Sequence, residues 1–152
     1  MSEVGKRGSS RRKGDEYQDN IALRLALKAY IDRKPFDMFL EYEKSGNLDD
    51  IVMFQGSDIS AYQVKYAINS LENYDTADLL DPESPVSFKK FAASWQIMKQ
   101  RFPERNLTVC LCSNRGLSSV LLDLVDVDGR FSCEVIEDRR RGEAKKLRSK
   151  LA

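Results

Sequence analysis

Asp50, Gln63 and Lys65 are the residues of this chain whose types and spacing suit one reaction. Gln63 and Lys65 stand two apart in the run Tyr62-Gln63-Val64-Lys65-Tyr66. Side chains on a strand alternate with a period of two, so both would point to one face and Val64 to the other. Asp50 opens the run Asp50-Ile51-Val52-Met53-Phe54, and the turn-forming residues Gln55-Gly56-Ser57-Asp58 would fold the two runs side by side. The Asp50 carboxylate, the Gln63 side-chain oxygen and the Val64 backbone carbonyl are oxygen ligands of the kind Mg²⁺ takes together with several waters. Lys65 beside such a cation would stabilise negative charge developing on a phosphate or position an attacking water. Phosphodiester hydrolysis is the reaction class this set suits. An additional acidic ligand would come from Glu41, Glu43 or Asp49; Glu41 and Glu43 share a strand face in this reading, and Glu41 is the choice. An Asp-Asp pair also ends many hairpins with no chemistry attached. A lysine inside an apolar strand is harder to place that way, because it needs a partner or a path to water.

The chain has no histidine, which excludes Ser-His-Asp and Cys-His triads, HExxH metalloproteases and any imidazole base. Cys110, Cys112 and Cys133 are odd in number and have no histidine to complete a zinc site, so they read as reduced structural residues. The net charge of +1 hides an uneven distribution. Residues 1 to 14 and 139 to 152 are strongly basic, and the stretch between them carries an acidic excess. Basic ends suit either a bound polyanion or a solvated arm and linker. With no apolar run near the roughly 20 residues that cross a bilayer and no signal-peptide core, a cytoplasmic protein without a membrane partner is expected.

The elements that must position these residues follow from periodicity. Residues 1 to 13 read as a disordered basic arm. Glu16 to Ile31 reads as a helix capped by Gly14-Asp15 and stopped at Pro35. Strands are expected over Asp37 to Glu43, Asp50 to Phe54 and Ala61 to Ala67, followed by a loop over 68 to 84. Phe88, Phe91, Trp95, Met98 and Phe102 recur at helical spacing and predict an amphipathic helix over Ser87 to Phe102 with that stripe in the core. Leu107 to Cys112, a nearly continuous apolar run, suits a buried central strand. A short helix over 117 to 126, a strand over Phe131 to Ile136 and a charged helix over 138 to 152 complete the reading. At 152 residues and 41% hydrophobic content, one domain is expected over 14 to 138. Residues 139 to 152 then form a basic helical linker toward a possible further domain. Helix, three strands, helix, strand implies an α/β sandwich with a mixed sheet covered by helices.

At Asp50 and Gln63-Val64-Lys65 the chain resembles the PD-(D/E)XK, or restriction-endonuclease-like, nucleases, in the QxK form of their motif. Tyr17-Gln18 on the first helix, Glu41, and Ser113-Asn114-Arg115 after the later strand extend the resemblance over about residues 14 to 116. Together they look like the N-terminal nuclease domain of bacterial antiphage effectors. The resemblance implies a restriction-endonuclease-like sandwich with a central mixed sheet flanked by helices. It implies Mg²⁺-dependent cleavage of double-stranded DNA, with Mn²⁺ as the substitute ion, held in check until an attached sensor assembles a homo-oligomer. Asp50, Gln63, Lys65, Glu41 and Gln18 would be the catalytic residues, and Asp50, Gln63, Val64 and Glu41 the metal ligands. The basic ends, or Lys89 and Lys90, would contact the DNA backbone, while Arg115 would clamp a phosphate or cap a carboxylate. Gln63 in place of the commoner glutamate removes one negative charge from the site. That departure keeps a weak or inactive nuclease-fold module open beside the enzyme, and RNA shares the chemistry of DNA at such a site.

Overall fold

A computed structural model describes residues 3–46, 48–125, 128 and 130 of the chain. The elements in order are helix α1 (Glu3–Ile31), strand β1 (Asp37–Leu40), a 3-10 turn (Glu43–Ser45), strands β2 (Ile51–Gln55) and β3 (Asp58–Lys65), helices α2 (Thr76–Leu80) and α3 (Phe88–Arg101), strand β4 (Asn106–Ser113) and helix α4 (Ser119–Leu122). The fold is α/β, with one four-stranded mixed sheet in the order β1-β2-β3-β4. β1, β2 and β3 run antiparallel as a meander, and β4 pairs parallel to β3. The chain divides into two compact units, one built from residues up to Asn69 with Phe91–Asn114, the other from Ser70–Lys90 with the chain from Arg115 onward.

In the first unit, alternation along the strands sorts the sheet into two faces. Ile51 pairs with Tyr62 in the β2–β3 ladder, and these residues, with Val64, Met38 and Cys112, meet Tyr17, Ile21, Ala22 and Leu25 of α1. The other face carries Val52, Phe54, Ile59, Ala61 and Gln63, because each partner across the ladder shares its neighbour's side. Phe54 meets Phe39 and, edge-on at 5.4 Å, Phe102 just past α3. The β2–β3 hairpin closes on Gly56, whose φ of 57° is the left-handed conformation a tight turn needs, and the Arg105 guanidinium donates to its carbonyl.

The second unit is short-ranged. Tyr74 and Leu117 form an isolated parallel bridge, and α2 starts on a capping box between Asp75 and Asp78. Tyr74, Leu79, Val86, Leu121 and Leu124 are its buried apolar residues.

Several boundaries differ from the sequence reading, each for a physical reason. α1 begins at Glu3, so the stretch expected as an arm over 1 to 13 is helical from residue 3, and Gly14-Asp15 lies inside the helix. Once packing nucleates a helix, each added residue gains a hydrogen bond for the ordering of one residue, and the Arg12–Glu16 pair spans the next turn. β1 stops at Leu40 because Glu41 takes φ 52°, so Glu41 and Glu43 do not share a strand face; Glu43 opens the 3-10 turn. β3 starts at Asp58, earlier than Ala61, because Asp58 pairs with both Gln55 and Asn106. A short helix, α2, interrupts the expected loop over 68 to 84.

α3 matches its expected span within a residue, but its buried positions are Phe91, Ser94 and Met98, and Trp95 is 41% exposed. The helix is rotated so that small Ser94 faces the turn at Gly46, where an added Cβ would lie 2.8 Å from Ser94 Oγ. The expected strand over Phe131 to Ile136, the helix over 138 to 152 and the linker lie outside the described residues.

Candidate functional site

The site is assembled at the end of β2 where Asp50 stands one residue before the strand. Two donors hold the Asp50 carbonyl and a third holds that of Asp49 before it. Gln18 of α1 donates its side-chain N–H to the Asp50 carbonyl at 3.1 Å, and the Glu41 N–H donates to the same oxygen at 3.2 Å. Tyr42 N–H donates to the Asp49 carbonyl at 2.7 Å. Behind this bend, Leu48 is fully buried and Ser45 Oγ donates to the carbonyls of Tyr42 and Leu48 at 2.6 and 2.9 Å. A carboxylate on so constrained a backbone has little freedom to leave its position.

That carboxylate gathers the motif residues of β3. Asp50 Oδ2 accepts from the Val64 backbone N–H at 2.6 Å and from the Gln63 side-chain amide, and the Lys65 ammonium lies 3.9 Å from the same oxygen. The β2–β3 ladder ends at Ile51–Tyr62, so the next pair of positions, Asp50 and Gln63, share a face. Gln63 is 3% exposed, while the side chains of Asp50 and Lys65 are 19% and 33% exposed. The centre therefore opens toward solvent at Asp50 and Lys65 and is closed at Gln63.

The donor set can be tested against a hard cation by its chemistry. Asp50, the Gln63 amide oxygen and the Val64 carbonyl are all oxygen donors, which fits Mg²⁺ or Mn²⁺. The N–H and C=O of one strand residue leave it on the same side, so the Val64 carbonyl shares the side of the N–H that reaches Asp50. Gln63 turns its NH₂ to Asp50, and a half-turn of its terminal amide, a broad two-fold torsion, would bring the oxygen round. The three side-chain contacts of Asp50 all fall on Oδ2.

The other expected residues are placed differently. Glu41 is exposed and touches Asp50 through its backbone N–H. Among the described residues, no group of three or more Asp, Glu, Cys or His side chains is gathered as a metal cluster. Gln18 reaches the Asp50 main chain, which makes it a positioning residue. Lys90 donates to the Glu83 carbonyl at 3.0 Å within the second unit, and Lys89 is exposed. Arg115 caps its own unit: its guanidinium lies 4.1 Å from the Tyr74 ring centroid, donates to the carbonyls of Glu72 and Asn73, and pairs with Asp78 at 3.6 Å. Burial pushes the Cys112 thiol above its usual range, which disfavours the thiolate form. Burial raises the Tyr62 phenol as well, with the hydrogen bond from Ser60 opposing and the neighbouring cysteines adding to the rise.

Asn114, named in the sequence only as part of Ser113-Asn114-Arg115 after the later strand, has a role there that sequence reasoning did not assign. Its side-chain Oδ1 accepts from Ala67 N–H at 2.8 Å, and its Nδ2 donates to the Ala67 carbonyl at 2.7 Å. The amide thus extends the β3–β4 ladder beyond its last pair, Lys65–Ser113, and holds β3 past the point where β2 stops pairing. The signal available was an Asn directly after an apolar strand, a residue able to imitate a backbone amide. Asn114→Asp keeps the acceptor and the size but loses the donor. Faster amide hydrogen exchange is expected at Ala67, Lys65 and Val64, with the β1–β2 amides unchanged; uniform protection throughout would show that the clamp is idle. Tyr17 and Tyr66 stand beside this end of β3 as a tilted ring pair 5.6 Å apart.

Comparison with protein-family models, with curated proteins and with solved structures returns no match for this chain, so the chemistry of the site rests on its own residues.

Proposed function

We propose that this chain is a metal-dependent endonuclease of the PD-(D/E)XK type that hydrolyses phosphodiester bonds of double-stranded DNA. The observation that carries the reading is the convergence of Gln63, Val64 and Lys65 on the Asp50 carboxylate at one end of a mixed sheet. Residues 13 to 15 positions apart in sequence meet there in the order the motif requires, at an opening to solvent. The α/β architecture, with α1 packed on one sheet face, supports the restriction-endonuclease-like assignment.

Asp50, the Gln63 side-chain oxygen and the Val64 carbonyl would hold Mg²⁺ or Mn²⁺, which when bound would supply Lewis-acid stabilisation of the phosphate and a more acidic water. Lys65 supplies a fixed positive charge at the same point, where charge develops on the phosphate oxygens as the bond to the leaving oxygen breaks. Gln18 and the Glu41 N–H keep the Asp50 backbone in place. A carboxylate held by fixed donors needs little reorganisation at the moment of reaction, which is how preorganised sites gain rate.

The resemblance extends the proposal to an antiphage effector in the cytoplasm, activated when an attached sensor assembles it into a homo-oligomer. Among the described residues no helix is long and apolar enough to cross a membrane.

A second reading, a nuclease-fold module that binds or assembles without cutting, draws on a specific observation. Among the described residues no group of three or more acidic side chains gathers around Asp50, and the donors around it already offset the charge on Oδ2. Incubating the protein with supercoiled plasmid and Mg²⁺ decides between the two. Nicked and linear products that disappear with EDTA and return with added Mg²⁺ or Mn²⁺ are expected. Intact plasmid from a protein that has been assembled into its active oligomer would favour the binding module, and cleavage confined to an RNA added to the same reaction would move the substrate to RNA.

A further inference from the structure

Helix α1 carries two apolar faces. One packs on the sheet through Ile21, Ala22 and Leu25. The other consists of Leu23, Leu27, Tyr30 and Ile31, which are 57, 50, 78 and 73% exposed. At about 100° per residue these four fall within roughly a third of the helix circumference, centred on Leu27 and opposite Ala22, Leu25 and Ala29. A contiguous stripe of this kind differs from single exposed apolar residues, which need no explanation.

The charges along α1 are sorted about that stripe. Arg11, Arg12 and Lys13 come first, Asp15, Glu16 and Asp19 form the segment adjoining the stripe, and Arg24, Lys28, Arg33 and Lys34 flank or follow it with Asp32 as the lone acid there. All eleven are exposed. Arg12–Glu16 and Lys28–Asp32 pair within the helix at 3.1 and 3.4 Å; among the described residues no ion pair engages Asp19, Arg33 or Lys34.

We propose that the outer face of α1 binds a second copy of this chain, with the two helices antiparallel and the two-fold axis at Leu27. In that pairing Leu27 meets Leu27 of the second copy, and Leu23 packs on Tyr30. Ile31 lies against the aliphatic stem of Arg24. The same half-turn lays the acidic segment around Asp19 beside Arg33 and Lys34 of the other copy, twice by symmetry. A parallel pairing would set acid against acid and base against base, so the charge order selects the antiparallel arrangement. The contact is a single helix pair, smaller than a standard stable interface, and the dimer is therefore concentration-dependent, with dissociation in about the micromolar range. This inference stands apart from the chemistry at Asp50.

Sedimentation velocity of the full chain across the micromolar range tests it. A monomer–dimer equilibrium is expected, and Leu27→Glu should weaken it by at least about tenfold, since a central apolar contact becomes a pair of buried like charges. At concentrations where both proteins are monomeric, the melting temperature of Leu27→Glu should match that of the wild type, because that side chain is outside the core. Asp19→Lys should weaken association as well, and adding Lys34→Glu to it should restore the dimer, because the reversed charges again face one another. A monomer at every concentration, a dimer indifferent to Leu27→Glu, or a double variant no better than Asp19→Lys would each overturn the proposal.

Discussion

Lys65→Ala is expected to lower the rate of plasmid cleavage by at least about a hundredfold while the protein remains folded. The Lys65 ammonium is 3.9 Å from Asp50 Oδ2 and its side chain is one-third exposed, so it can face both the carboxylate and an incoming phosphate. Preorganised charges at a developing oxyanion contribute on the order of 10²–10³ in rate, and the lower end suits an ammonium that water partly screens. The fold should survive because Asp50 keeps the Val64 N–H and the Gln63 amide as donors after the lysine is gone. The loss should therefore appear in kcat with little change in the melting temperature. Lys65→Arg separates charge from shape: the charge remains, but a planar guanidinium cannot take the compact place of an ammonium, so only partial activity is expected to return. Undiminished cleavage by Lys65→Ala would remove the lysine from the chemistry, and with it the reading of this centre.

Ile51→Ala carries the largest expected loss of stability, about 2–5 kcal/mol. Ile51 is fully buried on the face of β2 that meets α1, in a cluster with Ala22 and Val64 and with Leu25, Met38 and Tyr62 around it. Truncation removes transfer free energy and leaves a cavity that the sheet side of the cluster cannot close, since Ile51 is held in register with both Leu40 and Tyr62. Trp95, the chain's one tryptophan, lies on α3 in the same unit as the sheet and gives a fluorescence reading of urea unfolding. The midpoint should move down by an amount matching that loss, with unchanged slope. A shift worth less than about 1 kcal/mol would mean that α1 does not close over the sheet as described. Because Asp50 is the next residue, cleavage by this variant should also fall more steeply with rising temperature than that of the wild type.

The two substitutions probe opposite faces of one strand pair, and the contrast between them follows from alternation. Ile51, Tyr62 and Val64 pack in the cluster under α1, whereas Gln63 and Lys65 turn to the Asp50 carboxylate at the candidate site. This division was legible from the residues alone, because a period of two is a local property of extended backbone. The span of α3 was legible because apolar spacing is local too; the apolar run of β4 announced a strand but not its place, for β4 is not the buried central strand expected over Leu107 to Cys112 and instead closes one edge of the sheet, with its residues half-buried or exposed.

What went astray lies in the turns and in distant partners. Glu41 looked like a strand residue sharing a face with Glu43, yet closure of the bend against Asp49 and Asp50 draws it into a left-handed conformation. Trp95 looked like core, yet the close approach of α3 to the turn at Gly46 turns Ser94 inward. Gln18 stood out on α1, but that it reaches the Asp50 carbonyl across 32 positions depends on how α1 lies on the sheet. Asn114 holds Ala67 across 47 positions and left no periodic trace.

By itself, then, the sequence determined the chemistry available to this chain: no imidazole, one D…QxK set with its Gln and Lys on a common strand face, and an α/β order of elements around it. Tertiary structure alone decided that Asp50 meets all three motif residues through a single oxygen, that Gln18 and Glu41 restrain its backbone, and that a stripe of α1 is left outside the core. The physical reason is range. Side-chain alternation and helical spacing act over a few residues, whereas the meeting of groups tens of positions apart is set by strand register, turn conformation and the packing of one element on another.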